Sequence, residues 1–134
     1  MALTIDQALQ QGVAAHKEGK LQDSERLYRG ILQVQPKHPD ANHNLGVLAV
    51  AVGKPLEAIP LFKLALEANP TIEQFWLSYI DALIKVERFN EAKLAVTDGE
   101  QSGVSKTKLD GLRQRLENEP SGFTEPSKSQ LDNL

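Results

Sequence analysis

A period of 34 residues constrains this chain more than any other feature of its sequence. The segment GVAAHKEGKLQDSERLYRGILQVQP, ending at Pro36, aligns without a gap on GVLAVAVGKPLEAIPLFKLALEANP, ending at Pro70. The register pairs Gly12 with Gly46, Gly19 with Gly53, Ser24 with Ala58, Tyr28 with Phe62 and Pro36 with Pro70. A further step of the same length pairs Asn42 with Trp76, Leu45 with Tyr79, Ala49 with Leu83 and Ala58 with Ala92. Three units result, at 5–38, 39–72 and 73–106. A unit this short cannot bury its apolar face alone, so the three must stack on one another.

Each unit reads as two helices. Leu45, Leu48, Ala49 and Val52 recur at helical spacing, as do Ala58, Leu61, Phe62, Ala65 and Leu66. Between them Gly53 can take the positive φ that ends a helix, and Pro55 suits the first position of the next. Gly46 and Ala58 fall where two antiparallel helices would cross, with Phe62 beside that contact. Pro60 falls about a turn into the second helix, where it removes one internal hydrogen bond and crowds the Leu56 carbonyl. Early helix amides lack partners anyway, so a slight bend is expected there and not a break.

These positions resemble the tetratricopeptide repeat (TPR). The middle unit carries Leu45, Gly46, Ala58, Phe62, Ala65 and Pro70 at the repeat's marked places. The first unit keeps Gly12, Tyr28 and Pro36, with Ser24 in place of the alanine; the third keeps Trp76 and Ala92, with Val104 in place of the proline. The resemblance implies an all-α fold, a right-handed superhelical solenoid of three helix-turn-helix repeats. Leu109, Leu112 and Leu116 form one stripe in SKTKLDGLRQRLENE, which predicts a capping helix over 105–119 that closes the third repeat. Beyond it, in 120–134, PSGFTEPSKS reads as a flexible linker. SQLDNL reads as the start of another helix, with Ser127 or Ser129 as cap, and the expectation is a chain cut from a longer one.

Residue chemistry excludes several function classes. A net charge of −3 exerts no pull on phosphate backbones, so no nucleic-acid partner is expected. There is no cysteine, hence neither a disulfide nor a thiolate metal site. No apolar run approaches the roughly 20 residues that span a bilayer, and the N-terminus lacks the pattern of a signal peptide. No membrane association and a cytoplasmic location are therefore expected. His16, His38 and His43 show no zinc-ligand spacing, and the glycines are explained by packing and turns. Ser78 and Asp81, three residues apart on one helix face, read as groove-solvating residues. No catalytic residue, metal or cofactor is expected, and the chain does not read as an enzyme.

What remains is a surface. The resemblance implies that first helices line a concave face that binds extended peptides or helices. By repeat position, Asp6, Leu9, Gln10, Val13 and Lys17 face it from the first unit, and Asp40, His43, Asn44, Val47 and Ala51 from the second. Gln74, Leu77, Ser78, Asp81 and Lys85 do so from the third. The candidate peptide-binding set is Leu9, Val13, His43, Asn44, Val47, Gln74, Leu77 and Asp81. Chaperone-binding TPR domains clamp a terminal carboxylate, but at the matching positions Leu9, Val13, Asn44, Gln74 and Ser78 only Asn44 agrees. Asn44 also resembles the inner asparagines of the repeat arm of O-linked N-acetylglucosaminyltransferases, where an amide binds peptide backbone. An amide suits that task because it offers both donor and acceptor. Leu9, Val13, Val47 and Leu77 favour apolar ligand side chains, as on an amphipathic helix. The expected function is a non-catalytic protein–protein interaction module with a protein or peptide partner. The alternative is the N-terminal substrate-recruiting arm of a larger enzyme such as a glycosyltransferase. Homo-oligomer formation through the repeat ends is compatible with either.

Overall fold

A computed structural model describes residues 2–118, so the readings made for 120–134 lie outside the described residues. The helices are α1 (Ile5–Lys17), α2 (Leu21–Val34), α3 (Pro39–Ala51), α4 (Pro55–Ala68), α5 (Glu73–Lys85), α6 (Phe89–Gln101) and α7 (Lys106–Asn118). No strand occurs among the described residues, and no helix there is long and apolar enough to cross a membrane. α1 packs on α2, α3 on α4 and α5 on α6, and α7 closes against α6 and α5. Because α2 and α4 carry the chain back each time, α1, α3 and α5 lie side by side and run the same way.

One corner is built four times. Gly19, Gly53, Glu87 and Gly103 have φ of 79, 82, 63 and 101°. The amide that follows each reaches a carbonyl five residues back: Lys20 to Ala15 at 2.8 Å, Lys54 to Ala49 at 2.8 Å, Arg88 to Leu83 at 2.9 Å and Val104 to Gly99 at 3.0 Å. These bonds satisfy carbonyls that a helix end would leave open. The third repeat has Glu87 where the first two have glycine, and a side chain in that conformation costs about 1–2 kcal/mol.

The junctions between repeats are also repeated, with different chemistry. Asn42 Nδ2 donates to the Pro36 carbonyl at 3.0 Å, and Trp76 Nε1 donates to the Pro70 carbonyl at 2.8 Å. An amide and an indole thus do one job at equivalent positions, each tying a first helix to the end of the helix before it. After α6 the pattern changes: Val104, at the proline's place, is buried in the core and the chain enters α7 directly.

Within repeats, close helix crossings decide the packing. A Cβ on Gly46 would lie 2.8 and 2.9 Å from Phe62 Cδ1 and Cζ, and one on Gly12 would lie 3.0 Å from Tyr28 Cδ1 and Cζ. Each glycine therefore makes room for the aromatic ring of the facing helix. Ser24, replacing the small alanine, is fully buried and donates its hydroxyl to the Gly12 carbonyl at 2.8 Å, so it leaves no polar group unpaired. Pro60 does not interrupt α4, which runs through it. Both Pro60 and Leu56 are exposed, so water can reach the carbonyl that the proline leaves without a donor.

The apolar stripe of α7 covers the end of the third repeat. Leu109 and Leu116 are buried and Leu112 partly so. Polar links hold the helix at both ends. Glu73 pairs with Lys108 and accepts the Ser105 amide at 2.8 Å. The Lys108 hydrogen bond, then that amide, hold the Glu73 carboxyl below its ordinary value. Arg113 pairs with Glu100, and Arg115 Nη1 donates to Asp81 at 2.7 Å.

Candidate functional site: the concave groove

The parallel helices α1, α3 and α5 present one stripe each to a common face. Across the first two repeats this face holds a depression of 390 Å³ lined by Val13, His16, Lys17, Tyr28, Asn44 and Val47. It brings together Val13, Asn44 and Val47 of the predicted set. Leu9 is half-buried against the core around Tyr28 and Leu45, while Val47 and Leu77 pack their inner sides on the core that contains Phe62 and Ile80. Gln74 is exposed at the start of α5.

His43 and Asp81 occupy different places from the aliphatic residues. The His43 ring is 8% exposed and lies between two phenylalanines, stacked on Phe75 at 4.7 Å and tilted against Phe62 at 5.5 Å. Its edges are also engaged. Gln74 Nε2 donates to Ser78 Oγ at 3.2 Å, Ser78 Oγ lies 2.8 Å from His43 Nε2, and His43 Nδ1 lies 3.3 Å from Asn44 Oδ1. The neutral ring with its proton on Nδ1 satisfies every link: Ser78 donates to Nε2, and Nδ1–H donates to Asn44. The Tyr28 ring lines the depression beside the Asn44 side chain. One polar chain thus crosses the groove floor between the second and third repeats, from Asn44 to Gln74.

Asp81 anchors the cap. Lys85 Nζ donates to its two oxygens at 3.0 and 2.8 Å, and Arg115 reaches it from α7. Burial alone would raise its carboxyl, but the hydrogen bonds and charges of Lys85 and Arg115 outweigh that and hold it below its ordinary value.

Sequence reasoning missed three contributors to this face. Tyr28 comes from a second helix and joins the lining, at the position that Phe62 holds in the next repeat. Arg115 comes from the cap. His16 joins the lining beside Lys17. Only Tyr28 carried a signal, as the one phenol aligned with a phenylalanine.

The Ser78–His43–Asn44 line has the spacing of a nucleophile, a base and an orienting group. Its setting does not suit acyl transfer. Ser78 sits inside α5, where backbone amides are spent on the helix and none points at a developing oxyanion. The line works as a structural tie between repeats two and three, and it has a pH signature. Burial pushes the His43 imidazole below its ordinary value, offset in part by Asn44 and by the charge of Asp40. The unfolded value is about 6.5, so the ring's stabilising contribution is complete above that pH and is lost as pH falls from there through the folded value. The melting temperature is expected to fall between about pH 7 and 5, and His43→Gln should flatten that fall. Parallel pH profiles for the two proteins would exclude His43 as the source.

A larger cleft, of 570 Å³, opens between α2, α3 and α4. Its floor includes Leu21, Leu45, Leu48 and Leu61, and Glu25, Arg29, Lys54 and Glu57 stand at its rim. At the equivalent junction of repeats two and three, Ile59 replaces Glu25 and is buried, and Tyr79 replaces Leu45 and packs on the core. Arg29, on the face away from the groove, is therefore a reporter for this cleft.

No family model and no curated protein sequence matches the chain. Solved structures do. The Sgt2 TPR domain from Aspergillus fumigatus superposes with a TM-score of 0.75 at 23% identity, over 91% of this chain and 84% of that one. The TPR2B domain of yeast Sti1, in its pHsp70 complex, gives 0.77 at 16% identity, over 84% and 95%. A mutant of the Thermobaculum terrenum O-GlcNAc transferase gives 0.73 at 21% identity, over 87% of this chain and 23% of that one. At these identities the shared property is the fold.

Proposed function

We propose that this tetratricopeptide-repeat fold serves as a non-catalytic protein–protein interaction module that takes a peptide or an amphipathic helix in the groove of α1, α3 and α5. The observation that carries the reading is the depression where Val13 and Val47 stand beside Asn44 with part of their surface open. Leu9, Val13, Val47 and Leu77 supply apolar contact. Asn44 spends one lone pair on His43, and its amide offers both donor and acceptor to a ligand backbone. His43 and Asp81 act from behind: His43 fixes Asn44 and Ser78, and Asp81 fixes Lys85. Gln74 contributes an amide at the end of the floor. The Sti1 domain was solved in complex with pHsp70, which supports reading this fold as a peptide receptor.

Capture from a lysate by the wild-type chain and by Val47→Asp should show one set of proteins lost with the variant. Affinity for a partner so found is expected to fall at least about tenfold, because the new carboxylate is left unpaired against an apolar contact. Lys63→Ala, on an exposed site of α4 outside both cavities, should bind as wild type. If Arg29→Ala weakens binding while Val47→Asp does not, the cleft behind α3 is the site and the groove is not. A second reading, a substrate-recruiting arm of a larger enzyme such as a glycosyltransferase, is favoured by the likeness to part of the O-GlcNAc transferase. A transferase domain downstream in the same reading frame is the observation that supports it.

A further inference from the structure

We infer that the groove's ligand is an α-helix with an apolar stripe, basic side chains along one flank and acidic side chains along the other, and that this charge order sets the direction in which it lies. The inference rests on the groove reading above and deepens it.

The charges of the groove are sorted by edge. Because α1, α3 and α5 run the same way, their first turns form one edge and their last turns the other. The first-turn edge carries Asp6 and Asp40, both exposed. The last-turn edge carries Lys17 and Lys85, both exposed. Arg115 joins Lys85 on the single carboxylate of Asp81, so that pair keeps an excess of positive charge. The aliphatic residues Leu9, Val13, Val47 and Leu77 lie between the edges.

Dimensions decide between ligand shapes. Asp6 and Lys17 are eleven residues apart on one helix, which at 1.5 Å per residue separates the edges by about 16 Å. A ligand helix is about 10–12 Å across, so it rests on the aliphatic floor with flanking side chains in reach of both edges. An extended strand points its side chains in only two opposite directions, so it cannot face the floor and both edges at once. From α1 to α5 the floor is about 16–20 Å long at ordinary helix spacing, which matches three to four turns of ligand. The ligand must carry basic groups toward the Asp6 and Asp40 edge and acidic groups toward the Lys17 and Lys85 edge. Exchanging its two flanks is equivalent to turning it end for end, so the exchanged isomer also fits, in the opposite direction.

The test uses three synthetic fifteen-residue helices of one composition. Two carry a leucine stripe with lysine on one flank and glutamate on the other, in the two possible orders; the third mixes both charges on each flank. Affinities are measured by titration, and direction by a nitroxide on the peptide N-terminus read on α1 and α5 amides. Both sorted peptides should bind about tenfold more tightly than the mixed one, an advantage that shrinks at high salt. The nitroxide should broaden α1 for one sorted isomer and α5 for the other. Equal affinity of all three, the same direction for both isomers, or no binding by any peptide overturns the inference. Val47→Asp separates the two levels. If it abolishes binding while sorted and mixed peptides bind alike, the groove reading stands and the charge order fails. If it leaves peptide binding intact, the groove reading itself fails.

Discussion

Phe62→Ala is expected to lower the free energy of unfolding by about 3–5 kcal/mol. The side chain is 1% exposed and belongs to the core shared by repeats two and three. Its ring fills the crossing opposite Gly46 and touches the His43 ring, so truncation removes contacts to α3 as well as leaving a cavity. A domain of this size has about 5–15 kcal/mol in all, so the loss is a large share of what holds the fold together. Lys63→Ala, one residue along and exposed, should leave the melting temperature nearly unchanged. Thermal unfolding followed by circular dichroism compares the two, and equal losses would mean that the helix register is wrong.

Gly46→Ala is expected to destabilise the protein by about 1–3 kcal/mol, against the usual gain from replacing a helical glycine. The new Cβ would sit within 3 Å of several Phe62 ring atoms, among them Cδ1 at 2.8 Å and Cζ at 2.9 Å. The ring is hemmed in by the core and cannot step aside cheaply. Gly30→Ala, also within a helix, meets nothing within 4 Å and should stabilise by about 0.5–1 kcal/mol. The strongest form of the test is a cycle with Phe62→Ala. Once the ring is gone, Gly46→Ala should become favourable, because only its helix preference remains. Chemical denaturation of the four proteins reads the change of sign. Additive effects would show that the ring is not what requires the glycine.

Much of the fold was legible because its causes are local and recur. Gly19 and Gly53 announce corners through a conformation that other residues resist, and Pro55 announces a helix start. Gly46 and Phe62, like Gly12 and Tyr28, lie sixteen residues apart at the same places in two units, so the repeat itself exposed a contact between helices. The stripe of Leu109, Leu112 and Leu116 revealed a helix with one face to bury.

The groove was legible only in outline. Repeat position put His43, Asn44 and Asp81 on the concave face with nothing to rank them. Which of them stays open depends on partners far along the chain. His43 meets Ser78 thirty-five residues away, and Asp81 meets Arg115 thirty-four residues away. Such pairs form only where stacked repeats bring side chains within about 3 Å, a distance set by how the helices pack. The same holds for the cleft behind α3, which follows from Glu25 and Leu45 standing where the next junction has Ile59 and Tyr79. The amino-acid sequence by itself determined the helices, their corners and the face each one buries, because periodicity and backbone conformation are properties of neighbouring residues. The tertiary structure alone decided which groove residues are already spent on one another and which stay open, because that is settled by side-chain geometry across repeats.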